Sequence, residues 1–222
     1  MGPTLRPGAV MKLNTNMRII AGSAKGRSLV CLAGEEVRPT PERMRQAMFN
    51  VIGPELPGAN ILDLFSGTGS LGLEALSRGA EHCVFVENGF GALKALRQNI
   101  ETLGFEPQAI VLSKDVFQIE KHLEELGRAF DIIFAAPPYP LIENPGTAAE
   151  LFEVFGRVTE RFGTENVTLN LQNSPVSQVP EKTNTLERFD HRGYGNAELS
   201  RFGLGATGSL NSIKTGLQNE ET

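Results

Sequence analysis

A strand-like apolar run ends on a carboxylate and turns into glycines in Asn60-Ile61-Leu62-Asp63-Leu64-Phe65-Ser66-Gly67-Thr68-Gly69-Ser70-Leu71-Gly72. The segment fits G-x-G-x-x-G, and Glu87 closes the next apolar run twenty residues beyond Gly67. Glycines at that spacing let the backbone approach a ligand, and an acid at that distance accepts from ribose hydroxyls, as in dinucleotide sites. Asp63 argues against a dinucleotide. A carboxylate at the mouth of the loop repels a pyrophosphate and attracts an ammonium group. S-adenosylmethionine carries an ammonium, a sulfonium and an adenosine without phosphate, so it suits the loop better than a nicotinamide cofactor. The expected cofactor-binding set is Asp63, Ser66, Gly67, Gly69, Glu87, Asn88, Asp115 and Val116. Within it Glu87 serves the ribose and Asp115 the adenine amino group. The plain alternative for the three acids is that they cap helices.

These residues need strands to end side by side. Apolar runs at 60–64, 82–87, 109–113, 131–135 and 166–172 alternate with helical patterns at 70–78, 89–103, 116–126 and 147–161. That alternation predicts a parallel sheet covered by helices on both faces, with its ligand at the carboxyl ends of the strands. Two further runs, 184–190 and 196–202, flank Arg192-Gly193-Tyr194-Gly195 and predict an antiparallel hairpin. Towards the N-terminus, Arg18-Ile19-Ile20-Ala21-Gly22 and Arg27-Ser28-Leu29-Val30 read as short strands around a Gly/Lys turn. Thr40 and Pro41 then form a helix start, and Met44, Ala47, Met48 and Val51 give a stripe that stops at Gly53-Pro54. Residues 1–16 read as a disordered extension, 17–205 as one domain with a basic hairpin and helix at 17–53, and 206–222 as a disordered tail.

Composition excludes several classes of function. No run nears the roughly 18 apolar residues that span a bilayer, and the N-terminus lacks a signal-peptide core. Two cysteines and three histidines give neither a disulfide framework nor a zinc set, so no metal and a cytoplasmic location are expected. The net charge of −5 is uneven: residues 1–50 carry +5 and the rest −10, which predicts a basic face for an anionic partner on an acidic body.

The fourth strand runs Phe130-Asp131-Ile132-Ile133-Phe134-Ala135-Ala136 into Pro137-Pro138-Tyr139-Pro140. With this turn, the glycine loop and the stretch Arg38-Pro39-Thr40, Arg43, Arg45 and Phe49-Asn50, the sequence resembles the RsmD-like methyltransferases of bacteria from about Arg18 to Phe202. The resemblance implies a doubly wound α/β fold of the Rossmann-like class I type, with a seven-stranded, mostly parallel sheet. It implies S-adenosylmethionine-dependent methylation of a guanine N2 amino group in small-subunit (16S) ribosomal RNA, on 30S particles, by a monomer. The N-terminal hairpin and helix would face the RNA through Arg18, Lys25, Arg27, Arg38, Arg43 and Arg45. Pro137, Pro138 and Tyr139 would position the base, the prolines holding carbonyls rigid and the ring stacking on the extruded base.

The family's tetrapeptide begins with Asp or Asn, and here Ala136 stands in that place. A guanine amino group has its lone pair delocalised into the ring, and acceptors for its two hydrogens help localise that pair. Loss of one aimed hydrogen-bonding group slows such a reaction on the order of 10²–10³-fold. The sequence therefore predicts slowed catalysis. The alternatives are a catalytically degenerate homologue that binds donor or RNA, or an amino-methyltransferase with another nucleic-acid target. Glu143 and Asn144 are candidate substitutes for the missing acceptor. The fifth strand carries Thr168, Asn170 and Gln172 between apolar residues, so one of its faces is expected to be less dry than that of a fully buried strand.

Overall fold

The computed structural model describes residues 13–32 and 42–205, with 13–16 given by backbone alone. Arg38 and the helix start expected at Thr40 and Pro41 lie outside the described residues, as do 1–12 and 206–222. β1 (Leu13–Arg18) and β2 (Ser28–Leu32) pair antiparallel as a separate arm. Two expectations are corrected here. Structure begins by Leu13, inside the segment read as an extension, and β1 stops at Arg18 where a strand was expected to run on to Gly22. Ile19 still pairs across the turn with Arg27 and Gly26, but the backbone beyond it bonds elsewhere: Ile20 and Ala21 donate to the Glu74 carboxylate at 2.8 and 3.0 Å, and Ser23 donates to the Ser77 carbonyl at 2.7 Å.

α1 (Glu42–Ile52) buries Met44, Arg45, Met48, Phe49 and Ile52. The main sheet follows with β3 (Asn60–Leu64), β4 (His82–Glu87), β5 (Ala109–Ser113), β6 (Phe130–Ala135) and β7 (Gly163–Asn173), all parallel. β8 (Leu186–Tyr194) and β9 (Ala197–Leu204) complete it antiparallel, in the order β5-β4-β3-β6-β7-β9-β8. The hairpin turn falls at Gly195-Asn196, later than expected, because Arg192, Gly193 and Tyr194 all pair with β9 and Gly195 takes the positive φ of 69° that the reversal needs. Between the strands run α2 (Ser70–Ser77), α3 (Phe90–Leu103), α4 (Glu120–Leu126), α5 (Tyr139–Glu143) and α6 (Pro145–Phe162). α3 and α4 end on Gly104 and Gly127, both in the left-handed conformation that closes a helix. α6 starts earlier than its apolar pattern, because Asn144 accepts from Gly146 and Thr147 and Pro145 takes the first turn.

Strand residues alternate between two cores. Ile61, Cys83, Phe85, Ile132 and Phe134 pack with α1, α2 and α3; Leu62, Val84, Ile133, Ala135, Leu169 and Leu171 pack with α4 and α6. This two-residue period is what a sheet covered on both faces requires. The polar residues of β7 do not make a wet face, contrary to expectation. Asn170 is buried, its Oδ1 accepts from Arg201 Nε at 3.0 Å, and Arg201 forks onto Glu55 at 2.7 and 2.8 Å. The strand order reverses between β3 and β6, so the crevice at their carboxyl ends is the switch point where open α/β sheets hold ligands.

Candidate active site

The glycine loop leaves β3 through a strained residue. Phe65 has φ 58°, a left-handed conformation rare outside glycine, and Gly67 and Gly69 follow at 56° and 90°. The loop is stitched to β4: Ser66 donates from its backbone N to the Val86 carbonyl at 3.0 Å, and Gly67 N donates to Glu87 Oε2 at 2.8 Å. A Cβ on Gly67 would stand in open space, whereas one on Gly69 would meet Leu96 and Leu73, and one on Gly72 would meet Phe85 and Cys83. Gly67 thus keeps the ligand side clear, while Gly69 and Gly72 let α2 close on the sheet.

Asp63 is buried beneath this loop. Its Oδ2 accepts from Gly72 N at 2.9 Å, while Oδ1 has no hydrogen-bond partner. Burial pushes its pKa up to about 7; the Gly72 N–H opposes the shift and the nearby Glu87 charge adds to it. Glu87 is half-buried, with Oε1 accepting from Asn88 N at 3.0 Å and Gly89 N at 2.7 Å. These three backbone donors orient the carboxylate at the strand end beside exposed Asn88. Asp115 is exposed and caps the short turn Val116–Gln118, accepting from Phe117 N at 3.0 Å. Val116 buries its side chain in the apolar core, so it meets a ligand only through its backbone.

One strand over, Ala136 N donates to the Leu64 carbonyl at 3.3 Å, which ties the Pro137-Pro138 turn to the exit of β3. Pro137 is buried, Pro138 exposed and Tyr139 half-buried at the start of α5, a helix the sequence reading missed. The two substitutes proposed for the missing acid are engaged elsewhere: Asn144 caps α6, and Glu143 accepts from Ser174 Oγ at 2.6 Å. A groove of about 570 Å³ lined by Phe152, Glu153, Arg157, Pro180 and Thr185 lies beside α6, away from the glycine loop.

The basic residues divide. Arg18, Lys25 and Arg43 are exposed, with Arg18 3.9 Å from Glu42. Arg27 donates to the carbonyls of Thr102 and Leu103, at the end of α3. Arg45 is a correction: it is fully buried, donates from Nη2 to the Arg18 carbonyl at 2.6 Å, and cannot face a ligand. The buried face of α1 runs through Met44, Arg45, Met48, Phe49 and Ile52, turned from the stripe of Met44, Ala47, Met48 and Val51 read in the sequence, and that turn takes Arg45 inside. Two positioning residues were missed. Asn99 exchanges hydrogen bonds with Val30 and donates to the Thr68 carbonyl, pinning the arm to the glycine loop. Glu74 holds Ile20, Ala21 and Arg78 from inside α2. Each is a polar residue among buried apolar neighbours, which was the available signal. Among the described residues no helix is long and apolar enough to cross a membrane, and no cluster of His, Cys, Asp or Glu is arranged to hold a metal.

This sheet order, with a glycine loop at the switch point and a terminal antiparallel pair, is the class I S-adenosylmethionine-dependent methyltransferase fold. Residues 17–203 match the model of the conserved hypothetical protein 95 family, and the chain belongs to that RsmD-like family. YlbH of Bacillus subtilis is 44% identical over 123 residues, which cover 55% of this chain and 67% of YlbH. Ribosomal RNA small subunit methyltransferase D of Haemophilus influenzae is 37% identical over 124 residues, spanning 64% of its own length. The solved structure of yhhF from Escherichia coli superposes with a TM-score of 0.68 at 26% identity, covering 84% of this chain and 96% of that one. The chain thus spans about two thirds of the length of these curated relatives.

Proposed function

We propose that the protein methylates the exocyclic N2 amino group of a guanine in small-subunit ribosomal RNA, with S-adenosylmethionine as donor. One observation carries the reading: the buried Asp63 under an open glycine loop and the Pro137-Pro138-Tyr139 turn leave adjacent parallel strands at the switch point. The donor set fits this cofactor. An orphaned carboxylate oxygen, clear space over Gly67 and a second carboxylate at Glu87 favour a cation with ribose hydroxyls over a diphosphate. Asp63 and the loop Ser66–Gly69 would hold the amino-acid end, Glu87 and Asn88 the ribose, and Asp115 with the Val116 backbone the adenine.

When bound, S-adenosylmethionine would supply an electrophilic methyl carbon on a sulfonium, a leaving group able to take the C–S electron pair. The chain's task is to present the amine. Tyr139 stacks on the extruded base, and carbonyls held by the two prolines accept from the amino group as its lone pair turns to the methyl carbon. Arg18, Lys25 and Arg43 supply the exposed cations for RNA phosphates. The name of the Haemophilus influenzae relative, a ribosomal RNA small subunit methyltransferase, supports small-subunit ribosomal RNA as the substrate, which we take to be presented on 30S particles. We place the protein there as a cytoplasmic monomer that uses no metal.

A second reading, a donor- and RNA-binding homologue without turnover, is favoured by the methyl side chain of Ala136 alone. Mass spectrometry of nucleosides from undermethylated 30S particles incubated with the protein and donor separates the two. N2-methylguanosine is the expected product; donor binding without any methylated nucleoside selects the second reading.

A further inference from the structure

α3 is packed on one side only. Leu96, Asn99, Ile100 and Leu103 are buried against the sheet and the arm, and at about 100° per residue they fall across the helix from Phe90, Lys94 and Arg97. The latter three are all exposed and lie within about 60° of one another, in a stripe about 10 Å long. Phe90 is 78% exposed, the most open of the large apolar side chains among the described residues. The exposed ring of Phe189, by contrast, lies 5.0 Å from the Arg201 guanidinium. A lone ring in water is common on protein surfaces, and it is the neighbours of Phe90 that distinguish it. Lys94 and Arg97 stand beside it on an otherwise acidic body, and among the described residues neither forms an ion pair or a hydrogen bond.

The two ends of the stripe are fixed by residues already met. α3 starts just beyond Glu87, and exposed Lys114 donates its backbone N–H to the Glu87 carbonyl at 3.1 Å, which adds a cation at this corner of the sheet. Glu101 closes the far end, where Arg27 anchors the arm and its exposed Lys25 on the Thr102 and Leu103 carbonyls. An aromatic ring interleaved with unpaired cations suits single-stranded nucleic acid, since the ring stacks on a base while the cations meet phosphates. A patch for phosphates alone needs no ring, and an apolar protein contact is not served by two cations along its length. We propose that the outer face of α3 is a second RNA-binding surface, on which Phe90 stacks on an unpaired base of the substrate and Lys94 and Arg97 hold its phosphates. This rests on the reading of the chain as an RNA methyltransferase.

The chain contains no tryptophan, so Phe90→Trp installs a single reporter at the site. Protein-free small-subunit ribosomal RNA is expected to quench its emission, and S-adenosylmethionine alone to leave it unchanged. Phe90→Ala should weaken RNA binding on filters about tenfold, with donor Kd by calorimetry within about twofold and the salt slope unaltered. Lys94→Gln combined with Arg97→Gln should reduce the slope of log K against log salt by about 1.4, or about 0.7 for each phosphate contact. Native RNA affinity in Phe90→Ala, or a native slope in the double variant, overturns the proposal. Quenching by the donor alone, or weakened donor binding in Phe90→Ala, overturns it too, because the ring then covers the adenine. Nucleoside mass spectrometry separates the surface from the reading beneath it. N2-methylguanosine made by a protein whose RNA affinity ignores Phe90 removes only the surface. RNA binding that depends on Phe90 without any methylated nucleoside removes only the methylation, and a native chain that binds no small-subunit RNA removes both.

Discussion

Under the proposed assignment, Asp63 should make donor binding depend on pH. Unfolded, its carboxyl ionises near 3.8; in the native protein burial holds the proton until about 7. The native state therefore binds more protons across that window, and this contribution to stability is complete below about pH 4 and lost as pH rises through 7. A cationic donor recruits the ionised form, so its affinity should rise by up to about tenfold per unit between pH 5 and 7 and level off above. Calorimetry at pH 6.5 in buffers of different ionisation enthalpy should show proton release; equal heats would contradict the assignment. Asp63→Asn should abolish this pH dependence, weaken donor binding at pH 8 and raise Tm there. The carboxylate and its glycines were legible in the sequence because loop chemistry is local and the spacing is short. The burial of Arg45 and the pinning role of Asn99 were less so, since they depend on what packs against a helix stripe.

At the level of elements, the arm β1–β2 is held by Glu74 and Ser77 of α2 and by Asn99 of α3. Glu74 is fully buried and takes two backbone N–H groups of the arm as well as Arg78 Nε at 2.7 Å. Glu74→Ala strands these donors and a guanidinium, and should cost about 3–5 kcal/mol in urea unfolding. Protease sensitivity should appear first in residues 19–27; unaltered stability would show that the arm is held by something else. Strands β3–β7 were readable because their apolar runs alternate with helices and end on turn residues. The arm's boundaries were not. Ile20 and Ala21 read as strand by composition, and the distant Glu74 draws their N–H groups out of the ladder.

For the whole molecule, an acidic body with a basic face should give RNA binding that weakens with salt. Lys25→Gln removes an exposed cation and should reduce the slope of log K against log salt by about 0.7, with Tm unchanged. Arg27→Gln should instead lower Tm with little change in slope, because its guanidinium sits on the last carbonyls of α3. Filter binding of small-subunit RNA across a salt series reads both. Equal slopes for the native chain and the Lys25 variant would remove the basic arm from the interface.

The seam between arm and body has no slack at Gly22, where an added side-chain carbon would overlap the Ser77 carbonyl. A single methyl group at that position is thus a wedge. Gly22→Ala would prise the basic arm off an otherwise intact Rossmann body, and on the proposed reading it should uncouple recognition of a large substrate from capture of a small one.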